Sequence, residues 1–203
     1  MIKRCVWLVI GCHAAAPAAP SCDREVVIAS QDDVTSIASC TRVRALTIKT
    51  AAPIRLGGLR LEAVAGDLRI GPTVAMDELS LPALRHVGGA VRVSANGALH
   101  GAFLPALEHA GRIEVTGNVE LATLSLPKLA DTGALVITDC AELEVVDAGS
   151  LVIVTGEMVV ADAPKLDIVD APHLARIHSL RIDAAPKLPT DVVDRLTAAL
   201  SPR

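Results

Sequence analysis

Apolar residues return along this chain at a long and nearly constant interval. An apolar-x-apolar triplet starts at Leu46 and recurs from Leu68, Val91, Ile113, Leu135, Met158 and Leu180, in steps of 22, 23, 22, 22, 23 and 22 residues. Such a period is the signature of a stacked repeat, in which each unit buries its apolar face against its neighbours. Residues 66–87, GDLRIGPTVAMDELSLPALRHV, show one whole unit. Aligned copies read L-x-I-x-x-N-x-x-L-x-x-L-x-L-P-x-L-x-x-V-G. The triplet has period two, so its outer members point inward from a short strand and the residue between them faces out.

Each further column of the alignment has a physical reading. Three residues past the triplet come Thr73, Asn96, Asn118, Cys140 and Ala163. An inward Asn there satisfies backbone groups that a bend leaves unpaired, and stacked copies make a ladder; Cys140 reads as a ladder member rather than a reactive thiol. Met76, Leu99, Leu121, Leu143, Leu166 and Leu188 follow, then a second strand in segments such as LSLPAL at 79–84 and LSLPKL at 124–129. Its recurring proline (Pro82, Pro105, Pro127, Pro172) has no N–H to donate and should end the strand. A glycine or small residue then returns the chain to the next turn. The prediction is a mainly β fold: a right-handed parallel β-helix, or leucine-rich-repeat-like solenoid, of about seven rungs. At about 4.8 Å per rung the rod is roughly 30 Å long.

The repeats run over 46–188 with a cap at either end. In 22–45, Val26-Val27-Ile28 has strand chemistry, and Ser30 is placed to cap a helix carrying Val34, Ile37 and Ala38. Cys22 and Cys40 flank that helix. Joined, they would contribute about 3 kcal/mol by restricting the unfolded chain; the other reading is two separate buried thiols. At the far end, 189–200 predicts a capping helix with Val192, Val193, Leu196 and Leu200 on its apolar face. No interdomain linker is expected between Cys22 and Arg203.

The single Trp, single Phe and absence of Tyr fit a narrow coil filled by aliphatic side chains. The formal charge of -4, or -6 without Lys3 and Arg4, argues against nucleic acid, which calls for a basic stripe. Residues 1–11 read as an export signal: a basic start, then apolar CVWLVIG. The tetrapeptide VIGC at 9–12 resembles a bacterial lipobox, which makes Cys12 the lipidation site and 12–21 a flexible tether. The second reading is cleavage after Ala18 and ordinary secretion. The chain is thus expected in the bacterial cell envelope, held to a membrane only by its lipid, or else secreted or periplasmic.

Residues 22–50, CDREVVIASQDDVTSIASCTRVRALTIKT, resemble the opening of a receptor L-domain, in the form found in fungal cell-wall proteins of the Ecm33/Sps2 type. There a Cys, a strand, a D-x-x-x-I/L-x-x-C helix and L-T-I introduce a right-handed β-helix, and the LPAL…V…G rungs continue the likeness to about Leu188. The resemblance implies a cell-surface recognition or wall-associated module, since L-domains of insulin- and EGF-receptor-like proteins contribute to ligand binding. No cysteine-rich segment, kinase or Ser/Thr-rich stalk accompanies these repeats, so no family ligand carries over.

Stacking turns the repeat into columns in space, so chemistry is sought in polar columns. His86, His109 and Asp131 share one; two imidazoles and a carboxylate are a weak candidate for zinc or copper, against a solvated turn. Ser80, Phe103, Ser125, Asp147 and Asp170 form a second, where adjacent carboxylates suggest a carbohydrate-active β-helix enzyme, a lyase or hydrolase. The chain offers no Trp or Tyr platform for a sugar after Trp7, and no nucleophile–base motif. Arg69, Arg92 and Glu114 form a third, with Val136 and Val159 beyond. With Phe103 these are the candidate binding residues for an envelope protein or an anionic glycan, against an ordinary charged face. The expected function is therefore a non-catalytic envelope module for recognition or support, with no cofactor, and the enzyme as the alternative.

Overall fold

The computed structural model describes residues 21–200. The signal segment, Cys12 and the tether up to residue 20 lie outside the described residues, as do 201–203. Strand β1 (Ser21–Ile28) opens the structure, starting at the last residue expected to be tether. Helix α1 (Gln31–Ser36) follows because its first turn caps itself: Ser30 Oγ accepts from the Asp33 N–H, and the Asp33 carboxylate accepts from the Ser30 N–H. Val34 and Ile37 turn inward. A Cys22–Cys40 disulfide then ties the start of β1 to a point two residues ahead of β2 (Arg42–Ile48), which pairs with β1 in parallel.

The turns proper run through β3 (Ala63–Val64), β4 (Leu68–Ile70), β5 (Glu78–Ser80), β6 (His86–Ser94) and β7 (Gly101–Phe103). They continue with β8 (His109–Thr116), β9 (Thr123–Ser125), β10 (Asp131–Thr132), β11 (Leu135–Thr138) and β12 (Val145–Asp147). Strands β13 (Ile153–Ala161), β14 (Ile168–Asp170) and β15 (Arg176–Asp183) and helix α2 (Thr190–Ala198) complete the described chain. Two parallel sheets result, a ten-stranded one from β1 to β15 and a five-stranded one in the order β5-β7-β9-β12-β14. The fold is a β-solenoid of about seven turns. Register follows the triplets: Leu46, Leu68, Val91, Ile113, Leu135, Met158 and Leu180 stand one over the next.

The returning glycine is not a turn between strands. It is a bend inside one long strand, as β6, β8 and β13 show. The bend also explains why the repeat alternates between 22 and 23 residues. Leu79 to Val87, Ala102 to Ala110 and Val146 to Val154 are each eight residues apart, whereas Val87 to Val91 is four and Ala110 to Ile113 is three. The pairing slips at these points, between Val87 and Ala90 and between Val154 and Glu157, so the extra residue is absorbed as a bulge. Here successive backbones approach too closely for a side chain. A Cβ on Gly133 would stand 2.2 Å from the Gly111 carbonyl oxygen, and one on Gly111 would stand 2.7 Å from that of Gly88.

The next corner is made by residues in the left-handed region, Ala95, Gly117, Asp139, Asp162 and Ala184, each just before the Asn/Cys column. Side-chain hydrogen bonds run along this column from turn to turn. Thr73 Oγ1 donates to Asn96 Oδ1 (2.8 Å), Asn96 Nδ2 to Asn118 Oδ1 (2.9 Å), and Asn118 Nδ2 to the Val93 carbonyl (2.8 Å). Cys140 continues the column with its thiol toward the Thr138 carbonyl (3.3 Å). Each proline of the second strand lies two residues past its end, as Pro82 does after Ser80. The first turn, between β2 and β3, has no strand in the smaller sheet, so β5 is that sheet's edge. At the far end Val192 and Leu196 of α2 are buried and Val193 partly so, but Leu200 lies beyond the helix and is 36% exposed.

Candidate functional site

The arginine column is the most elaborated surface, and its geometry changes its meaning. Register sets Arg69, Arg92 and Glu114 side by side on β4, β6 and β8. The residue just ahead of each triplet lies on the same outer face, and there stand Asp67, Arg112 and Glu157. The six side chains join into one chain of ion pairs. Asp67 Oδ2 bridges Arg69 Nη2 (2.6 Å) and Arg92 Nη1 (2.9 Å). Glu114 bridges Arg92 Nε (2.7 Å) and Arg112 Nε (2.9 Å), and Arg112 Nη2 reaches two turns on to Glu157 (2.9 Å). Ala134 occupies the intervening turn and is too small to block the reach.

Three cations balance three anions, so the face is neutral as a unit. Asp67 also accepts the Ala90 N–H, and this bond together with Arg92 and Arg69 outweighs burial and holds its carboxyl below the ordinary value. Burial alone would raise Glu114, but the hydrogen bonds from Arg92 and Arg112 prevail and lower it. An anionic glycan would find these guanidinium groups already engaged. Asp67, Arg112 and Glu157 lie outside the predicted set because each precedes its triplet instead of standing inside it. The alternating charge just ahead of it was the available signal.

Phe103 does not belong with the arginines. It lies on β7 in the smaller sheet, paired with Ser80 and Ser125, and its ring folds back over Gly101, where a Cβ would meet it at 2.3 Å. Nor does an apolar patch extend the arginine column: Val159 is only 9% exposed and Val136 is half-buried. The predicted binding set thus splits over two faces, with only Arg69, Arg92 and Glu114 together.

His86, His109 and Asp131 are neighbours by register, as the column requires. The two imidazoles stack, with centroids 4.9 Å apart and planes 16° from parallel, and Asp131 bonds Nδ1 of His109. Ring nitrogens point outward within their own planes, so stacked rings do not converge on one ion. No group of three or more His, Cys, Asp or Glu among the described residues is placed to hold a metal. Asp147 and Asp170 are also adjacent. Asp147 accepts from Ser125 Oγ (3.0 Å) and the Gly149 N–H (3.2 Å), an arrangement that secures the strand end. Burial pushes the Cys140 thiol above its ordinary value, so it stays protonated and unreactive.

Two of the recesses among the described residues are lined by several polar side chains. One of about 870 Å³ sits beside the free edge of β5, lined by Gln31, Ile54, Arg55, Glu78 and Ser80. The other is acidic, around His100, Glu120, Glu142 and Glu144, and His100 spans Asp77 (2.7 Å) and Glu120 (3.2 Å) within it. No protein-family model matches the chain, and neither do curated proteins or solved structures.

Proposed function

We propose that the chain acts outside the cytoplasm as a non-catalytic module of the bacterial cell envelope, a recognition or support element of the receptor L-domain kind. The observation that carries this reading is the Cys22–Cys40 disulfide beside the capping helix. Disulfides persist in oxidising compartments, and this one follows a leader with a lipobox-like VIGC and the short tether after it. The polar columns support a non-catalytic role, because their side chains bond one another along the stack instead of converging on a reactive point. A partner protein or glycan would meet the neutral ion-paired face of Arg69, Arg92 and Glu114 through shape and hydrogen bonds. Mass spectrometry of the N-terminus from native cells tests the reading. A diacylglycerol-modified Cys12 is expected; a free Ala19 would mean secretion without an anchor, and an intact Met1 in the cytosolic fraction would overturn the envelope assignment.

A further inference from the structure

The two ends of the solenoid are finished differently. In the inner turns, the inward residues of the triplet hand their amides to the turn that follows: Leu46 N–H donates to the Asp67 carbonyl (3.0 Å) and Ile113 N–H to that of Ala134 (2.8 Å). Leu180 and Ile182 occupy these positions in β15, the last strand of the larger sheet. The segment after α2 meets β15 only near its start, where Ile177 N–H donates to the Ala199 carbonyl (2.8 Å) and Ile177 bridges to Leu200. Among the described residues, nothing pairs with the outward backbone groups of Leu180 and Ile182. Their side chains are half-buried, whereas Leu135, Ile137, Met158 and Val160 are at most 1% exposed. Ile168 on the neighbouring edge strand β14 is 49% exposed. At the other end Val26, Ile28, Val34 and Ile37 are all buried.

An unpaired edge over an incompletely covered core is a template for another strand. We propose that the free edge of β15 pairs antiparallel with the same strand of a second copy, about a twofold axis at Ile182. The sequence of the edge selects this partner and this register. Centring on Ile182 sets Arg181 opposite Asp183 of the second copy, twice over, on the outer face, while Ile182 meets Ile182 over the joined cores. Centring one residue earlier would set Arg181 against Arg181, and like charges directly opposite are unfavourable. Within one chain Arg181 and Asp183 are only loosely paired at 3.8 Å, with side chains 66% and 68% exposed, so both are free to reach across. A contact about a twofold axis uses the same edge on both copies and so closes on itself, and assembly stops at two.

Sedimentation equilibrium of the full chain carrying Cys12→Ser, so that no lipid is added, tests the proposal. A dimer is expected. Arg181→Asp should weaken association at least about tenfold by facing acid with acid. The double exchange Arg181→Asp/Asp183→Arg should restore it. Circular dichroism and melting should hardly change, since both side chains are exposed. A monomeric parent chain, assembly beyond a dimer, or a dimer indifferent to Arg181→Asp would each overturn the proposal.

Discussion

Asn118 shows how a single position holds two turns together. Its side chain accepts from both the N–H and Nδ2 of Asn96 (3.2 and 2.9 Å) and donates to Val93, all without solvent. Asn118→Ala would leave those buried groups unpaired, and the expected loss is about 3 kcal/mol. Cys140 makes only weak thiol contacts one turn on, so Cys140→Ala should cost about 1 kcal/mol, the transfer and cavity terms of one small group. Urea denaturation of both variants checks this, and equal losses would count against a ladder. The Asn/Cys column could be seen in the sequence because residue type repeats at constant spacing on both sides of it. The glycine bend was visible only as a small residue, since nothing in one chain's letters says that its Cβ would strike a carbonyl of the turn below. Phe103 misled for a related reason: a column fixes its neighbours along the stack but not which face of the prism it shares with other columns.

Strands are coupled sideways by the ion pairs as well as by backbone bonds, and that coupling is sensitive to acid. Asp67 on the approach to β4 and Glu114 in β8 are both held below their ordinary values in the folded state. The unfolded chain therefore takes up these protons first as pH falls. The contribution of the pair is complete above the unfolded values of about 4 and drains away as pH drops through the lowered folded ones. Melting temperature should thus fall more steeply below about pH 4 in the parent chain than in Asp67→Asn/Glu114→Gln, which starts lower and is flatter. Parallel slopes in a thermal-melt series would show that the network adds nothing. High salt should blunt the difference only in part, because both carboxylates are partly buried. The helices were legible for ordinary reasons: Ser30 caps α1 as its residue type predicts, with the Asp33 carboxylate completing a capping box, and Val192 and Leu196 face the core. The reach of α2 was not, because its cover depends on where Leu200 lands beside β15.

For the molecule as a whole, the period implied the stack and the number of turns, since every turn must bury its aliphatic face on the next. It could not give the balance of the outer face, which depends on side chains reaching between turns, as Arg112 does to Glu157. Nor could it show that one end is covered and the other left with half-buried Leu180 and Ile182. The inner turns must form a single cooperative column rather than a row of independent loops. Residue-resolved hydrogen exchange tests that requirement most directly. The amides of Ile113, Leu126 and Cys140 donate to Ala134, Asp147 and Asp162, in three different segments of successive turns. They should exchange only through global unfolding and share one free energy, equal to that from denaturant. Separate free energies for the three, well below the global value, would contradict the stack.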